Sequence, residues 1–196
     1  MPRPSNPKIR ARLREGAIDY VLQHGFTALS LRPVAKALKT NARMLIYHFG
    51  SREDLMREIL MGLREREDAV IRQWFRKQKT PQGLVDFLRW HWRRMSAPEA
   101  RPALVLIFEL YALALRDPES YPGVLTDPIA YWRGLAAKTG VREKRDAEAT
   151  LLLAVTRGLL LDMAATGDRV RVGKALKMFA DRMDQAGAQR RSYSRG

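Results

Sequence analysis

Two short amphipathic stretches lie back to back between Ser30 and Gly50, and they constrain this chain more than any other feature of it. Ser30 offers an N-cap, and Leu31, Val34, Ala35 and Leu38 follow at the i, i+3, i+4, i+7 spacing of a helix with one apolar face. Pro33 falls in the first turn, where a missing N–H costs little. After Lys39-Thr40, Asn41 is a second cap, and it opens a run in which Ala42, Leu45 and Phe49 point one way and Arg43, Tyr47 and His48 the other. Upstream, Ile9, Leu13, Ala17 and Val21, with Ile18 and Leu22 beside them, mark a first helix that Gly25 closes. The expected unit is three helices, the last two joined by a three- or four-residue turn.

That unit is strongly basic. Residues 1 to 52 hold ten Lys or Arg against only Glu15 and Asp19, a net +8 within a chain whose formal charge is +15. Cations concentrated in one unit are the footprint of a polyanion binder, because each one placed near a phosphate releases condensed counterions. Membrane headgroups present similar anionic chemistry, but the helix spacing favours nucleic acid. Two short helices around a tight turn match the helix-turn-helix, whose second helix enters the major groove. Arg43 on such a face can bond a guanine bidentately, and Tyr47 and His48 can reach phosphates or base edges.

Beyond Gly50 the helical pattern continues. Ser51 and Asp54 form a capping-box-like start, and Leu55, Ile59, Leu63, Val70 and Trp74 trace a stripe past the charge run Arg64 to Asp68, read as a solvated face. Thr80-Pro81 opens a helix to about Met95, and Pro98, Pro102, Pro118, Pro122 and Pro128 punctuate the chain up to Thr139-Gly140. From Lys144 to Ala165 apolar residues occupy nearly the whole circumference, among them Leu151, Leu152, Leu153, Val155, Leu159, Leu160, Leu161 and Met163. Such a helix should be buried all round, and a second subunit would help to cover it. After Gly167, Val172, Ala175, Leu176, Phe179, Ala180 and Met183 line one face of a last helix. No strand-type alternation occurs, so the expected class is all-α: a head over residues 1–50, a larger helical domain over 51–187, and a basic, disordered tail over 188–196.

The run GFTALSLRPVAKALKTNARMLIYHFGSREDLM, residues 25–56, and above all LIYHFGSREDL, residues 45–55, resembles the TetR family of bacterial regulators. The resemblance implies a DNA-binding head in which Ser30 contacts backbone phosphate and Asn41 caps the recognition helix. Arg32, Ala42, Arg43 and Met44 would lie near base edges, with Tyr47, His48 and Arg52 on phosphates. Three positions depart from the pattern: Lys39 stands where members usually have the turn glycine, Ile46 where an aromatic is frequent, and Leu31 where a small hydroxyl residue can occur. The resemblance further implies a C-terminal domain that binds a small effector and dimerises through its last two helices, here residues 144–187. A two-fold dimer would set the recognition helices about 34 to 36 Å apart and favour a palindromic operator. Trp90, His91, Phe108, Glu109, Tyr111 and Trp132 are candidate pocket residues, and their aromatic content points to an apolar or aromatic effector.

Other classes fit less well. The chain has no cysteine, its His24, His48 and His91 are isolated, and no HExxH, GxSxG, GxGxxG or P-loop spacing occurs, so neither an enzyme nor a metal or cofactor site is expected. A non-specific basic nucleic-acid-binding protein without an effector is the alternative. The basic start lacks the apolar stretch of a secretory signal, and the run Ala103 to Leu115, interrupted by Glu109, falls short of the roughly 20 residues that cross a bilayer. The expectation is a soluble cytoplasmic protein with no membrane partner.

Overall fold

The computed structural model describes residues 6–27, 29–78, 83–136 and 142–193, and within residues 135–136, 142–145 and 187–193 the backbone alone. Every regular element among them is helical: α1 (Pro7–His24), α2 (Leu31–Ala37), α3 (Ala42–Phe49), α4 (Arg52–Lys77), α5 (Leu84–Met95), α6 (Arg101–Arg116), α7 (Asp127–Ala136), α8 (Arg142–Thr166) and α9 (Arg169–Tyr193), with a 3-10 turn at Pro98–Ala100. Packing groups residues 1–78 with 105–122 in one compact unit, and residues 79–104 with 123–196 in another.

In the first unit the caps set the helix limits. Asn6 accepts from the Lys8 N–H ahead of α1, with Pro7 at its start, and Gly25 ends that helix at φ 82°, where L-residues are strained. Asn41 accepts from the Met44 N–H to start α3, and Ser51 does the same for the Asp54 N–H at the start of α4. The Ser51 hydroxyl in turn donates to the Asp54 carboxylate, and this bond is the main reason that the carboxyl lies below its ordinary value. Leu13, Ala17, Ile18 and Val21 of α1 are buried together with Val34, Ala35, Leu45, Phe49, Leu55 and Ile59. The α1 and α4 backbones come close at Gly62, where a Cβ would collide with Ile18 Cδ1.

The charge run on α4 is not an idle solvated face. Arg14 Nη1 lies 2.8 Å from Glu65 and Arg14 Nε 3.1 Å from Glu58, while Arg66 bonds Glu15 at 2.6 Å and Asp19 at 2.8 Å. Each pair is partly exposed and worth no more than about 1 kcal/mol, but the network joins α1 to α4 along several turns. It also means that α4 neutralises Arg10 and Arg14, two of the ten cations counted in the head.

In the second unit α5, α8 and α9 pack together and α7 packs on α8. Thr80-Pro81 and Thr139-Gly140 lie outside the described residues; α5 begins at Leu84, with Asp86 accepting from the Gly83 N–H at 3.1 Å. Paired Arg–Asp contacts tie the helices: Arg133 to Asp146 at 2.9 and 2.7 Å, Arg171 to Asp162 at 2.8 and 2.7 Å, and Arg89 to Asp184 at 2.7 Å. Of the helix expected to be buried all round with a second subunit's help, Ala149, Leu152, Leu153, Thr156, Leu160 and Met163 are buried within the one chain, while Leu161 stays 51% exposed and Leu151 is also exposed. Val170, at 70%, and Met178 extend the uncovered apolar surface onto α9. And α9 is helical as far as Tyr193, through most of the stretch read as a disordered tail. The segment Asp146–Thr166 has the length and mean hydropathy, 1.4, of a membrane-crossing helix, with 33% of it buried within one chain.

Candidate nucleic-acid interface

The turn between α2 and α3 brings the candidate side chains to one surface. Val34 and Ala35 face inward on α2, so Arg32 and Lys36, one helical turn apart, face solvent. Lys39 follows in the turn at φ 53°, alone among the described non-glycine residues in having a positive φ. Glycine adopts that conformation without strain, whereas this chain accepts the strain and keeps a cation. On α3, Leu45 and Phe49 are buried, Arg43 is exposed, and Tyr47 is 45% exposed. Arg32, Lys36, Lys39 and Arg43 form no ion pair among the described residues, so their charge is directed to solvent.

Of the residues expected to meet DNA, Ser30, Arg32, Arg43 and Tyr47 are exposed, and Ala42 and Met44 are half-buried beside them. Ser30 stands at the N-cap of α2 without using its hydroxyl to cap, which leaves that hydroxyl free. Asn41 uses its side-chain oxygen on the Met44 N–H at 2.9 Å, as a cap should. Arg52 is exposed, but its Nε donates to the Leu29 carbonyl at 3.2 Å, so part of it is engaged in holding the loop before α2.

His48 is a correction. The sequence reading puts it on the open face with Arg43 and Tyr47, whereas it is 7% exposed and both ring nitrogens are buried without a hydrogen-bond partner. The reason is helical geometry: position 48 is three residues from Leu45 and next to Phe49, on the packed side, while 43 and 47 are four apart on the other. The sequence reading also passed over two groups. Lys36 was legible as the next residue on the Arg32 face. Arg10 was not, because its role depends on tertiary neighbours: its Nε donates to the His48 carbonyl at 3.2 Å, its guanidinium bonds Glu58, and its Cζ lies 5.3 Å from the Phe49 ring centroid. A cation at the last carbonyls of α3 also suits the helix dipole.

These features meet in known proteins. Residues 13–59 match the family described as bacterial regulatory proteins, tetR family. Through this segment the chain is similar to the TetR family. Over 69 residues it is 38% identical to the HTH-type transcriptional regulatory protein RaaS of Mycobacterium tuberculosis, a match spanning 35% of this chain and 28% of that relative. Among solved structures, GusR of Salmonella enterica aligns at TM-score 0.63 with 25% identity over 90% of this chain and 95% of its own. The multidrug binding protein EbrR, complexed with imidazole, aligns at 0.66 with 26% identity over 91% and 93%. A TetR transcriptional regulator from Legionella pneumophila, at 0.67 and 18% identity over 92% and 98%, shares the all-α fold.

The six candidate pocket residues divide between the two units. Trp90, His91 and Trp132 gather around Phe87 in the second, with ring centroids 5.4, 5.8 and 5.0 Å from it and the His91 ring nearly parallel to Phe87. His91 keeps some surface, but its Nδ1 is shut off from solvent with no partner; burial, reinforced by the positive Arg94, lowers its pKa to about 4. Phe108, Glu109 and Tyr111 lie on the part of α6 that belongs to the first unit, where Phe108 and Tyr111 meet edge to face at 6.2 Å. Glu109 is already occupied: its carboxylate accepts from the backbone N–H groups of Phe26 and Thr27.

Proposed function

We propose that this chain is a ligand-released transcriptional repressor that binds a palindromic operator as a homodimer. Residues 1–50 read the DNA, residues 51–187 bind the effector and dimerise, and the protein acts in the cytoplasm. The observation that carries the reading is the cationic face of the helix-turn-helix, Arg32, Lys36, Lys39 and Arg43, unpaired among the described residues, with Tyr47 beside them, on helices anchored by the buried Val34, Ala35, Leu45 and Phe49. Arg43 reads a base edge, Ala42 and Met44 lie against bases, Ser30, Tyr47 and Arg52 hold phosphates, and Lys36 and Lys39 add charge.

The uncovered apolar residues Leu151, Leu161, Val170 and Met178 support dimerisation through α8 and α9, since this surface is larger than a single chain covers. For the effector, the aromatic group of Trp90, His91 and Trp132 supports a flat apolar or aromatic molecule. EbrR has been solved with imidazole and with proflavin, which makes nitrogen heteroaromatics the first compounds to try. Release follows if the effector binds the DNA-incompetent arrangement more tightly than the competent one.

Selection of bound fragments from the source genome tests the reading. The expected outcome is one recurring palindrome with half-sites about one DNA turn apart. Uniform recovery of all fragments would instead establish a non-specific nucleic-acid-binding protein.

A further inference from the structure

Past the end of α1 the chain has two backbone donors to satisfy. Gly25 makes the last helical bond, its N–H to the Val21 carbonyl at 2.8 Å, and in a common helix ending the next N–H groups would fold back onto helix carbonyls. Here they do not. The Phe26 N–H bonds Glu109 Oε2 at 2.9 Å and the Thr27 N–H bonds Glu109 Oε1 at 2.6 Å, from a residue more than eighty positions further along the chain. The helix dipole disfavours a carboxylate at a C-terminus, so directed hydrogen bonds and not general electrostatics keep Glu109 there. Gly25 is matched to this partner, because a Cβ on it would stand 2.8 Å from Glu109 Oε2.

The same loop is held on two further sides within the first unit. The Tyr121 ring meets the buried Phe26 edge to face at 6.1 Å, and Arg52 Nε donates to the Leu29 carbonyl at 3.2 Å. Ser30 and α2 follow Leu29 directly, so whatever fixes Gly25, Phe26, Thr27 and Leu29 fixes where the helix-turn-helix begins. We propose that Glu109 is a positioning residue for DNA reading: its carboxylate latches α6 to the α1–α2 loop and so sets the orientation in which α2 and α3 meet the duplex. It touches no DNA and is not an effector anchor. The proposal rests on the DNA-binding reading above.

The test uses the full chain, a duplex selected from a random pool with the wild-type protein, and a random-sequence duplex. Glu109→Gln replaces one accepting oxygen with a donor, and Glu109→Asp keeps the charge but draws the carboxylate back from the amides. Both variants are expected to lose hydrogen-exchange protection at Phe26 and Thr27 and to cut the ratio of selected to random binding at least fivefold. The salt dependence of random-duplex binding should not change, since no phosphate contact is lost. A drop in folded fraction alone would lower both affinities together and leave the ratio intact, and this outcome overturns the proposal. So does a wild-type ratio in Glu109→Asp, or unchanged amide protection in either variant. A wild-type chain that selects no duplex overturns the DNA reading and the latch with it, while a wild-type preference that both variants keep overturns the latch alone.

Discussion

The α1–α4 interface and the α8–α9 surface are built from the same materials and finished differently. Between α1 and α4 the apolar residues are covered, the backbones approach at Gly62, and Arg10, Arg14 and Arg66 find acidic partners across the seam. The helix-turn-helix exposes the cations Arg32, Lys36, Lys39 and Arg43, along with Ile46 and Tyr47. On α8 and α9 the acidic and basic residues also pair, as Arg171 does with Asp162, yet Leu151, Leu161, Val170 and Met178 stay in solvent. A surplus of charge marks a surface made for a polyanion, and a surplus of apolar area marks one made for protein. The two regions therefore differ in what they leave exposed, cations on one and apolar side chains on the other.

The largest effect should come from charging the apolar end. Leu161→Glu combined with Met178→Glu is expected to convert the proposed dimer to monomer in sedimentation velocity and to weaken binding to the proposed palindrome a hundredfold or more, with the helical circular dichroism retained. A variant that stays dimeric would show that the exposed face is not the interface. At the charged end, Arg43→Ala should cost about 1–3 kcal/mol on the selected duplex and much less on random DNA, measured by titration against both. Retained preference would mean that the reading face is elsewhere.

A pH experiment probes the buried second unit. His91 titrates at about 4 in the folded chain against 6.5 when unfolded, so the unfolded state binds more protons between these values. Stability is then undiminished above pH 6.5 and declines as the pH falls toward 4, by roughly 3 kcal/mol over the window. His91→Phe should flatten that part of the curve in urea unfolding, and an unchanged slope would assign the acid sensitivity to other groups. The seam between α1 and α4 gives a smaller effect: Arg14→Gln should lower stability by about 1 kcal/mol, less at high salt. Smallest is Lys39→Gly, expected to stabilise the chain by about 0.5 kcal/mol through relief of the positive φ. It should also weaken random-duplex binding slightly, through the lost charge.

Much of the head was legible in advance because its signals are local. Caps at Ser30, Asn41 and Ser51 and the helical spacing of Leu45 and Phe49 lie within a few residues of what they specify, and the elements fall where these signals put them. His48 was misplaced although its spacing from Leu45 was available, since a polar ring on a packed face runs against its chemistry. The body was harder to read. Its aromatic residues carry no positional code, and Glu109, taken for a pocket residue, is bonded to a loop that no local pattern could connect to it.

By itself, then, the sequence determined the all-α class, the helix limits of the head, and the cationic face of α2 and α3, because caps, periodicity and charge act over one or two helical turns. Only the tertiary structure decided which of the ten cations are spent on α4, which side of α3 His48 occupies, and where Glu109 attaches. Those outcomes depend on groups brought together from distant parts of the chain, and their energies exist only once the helices have packed.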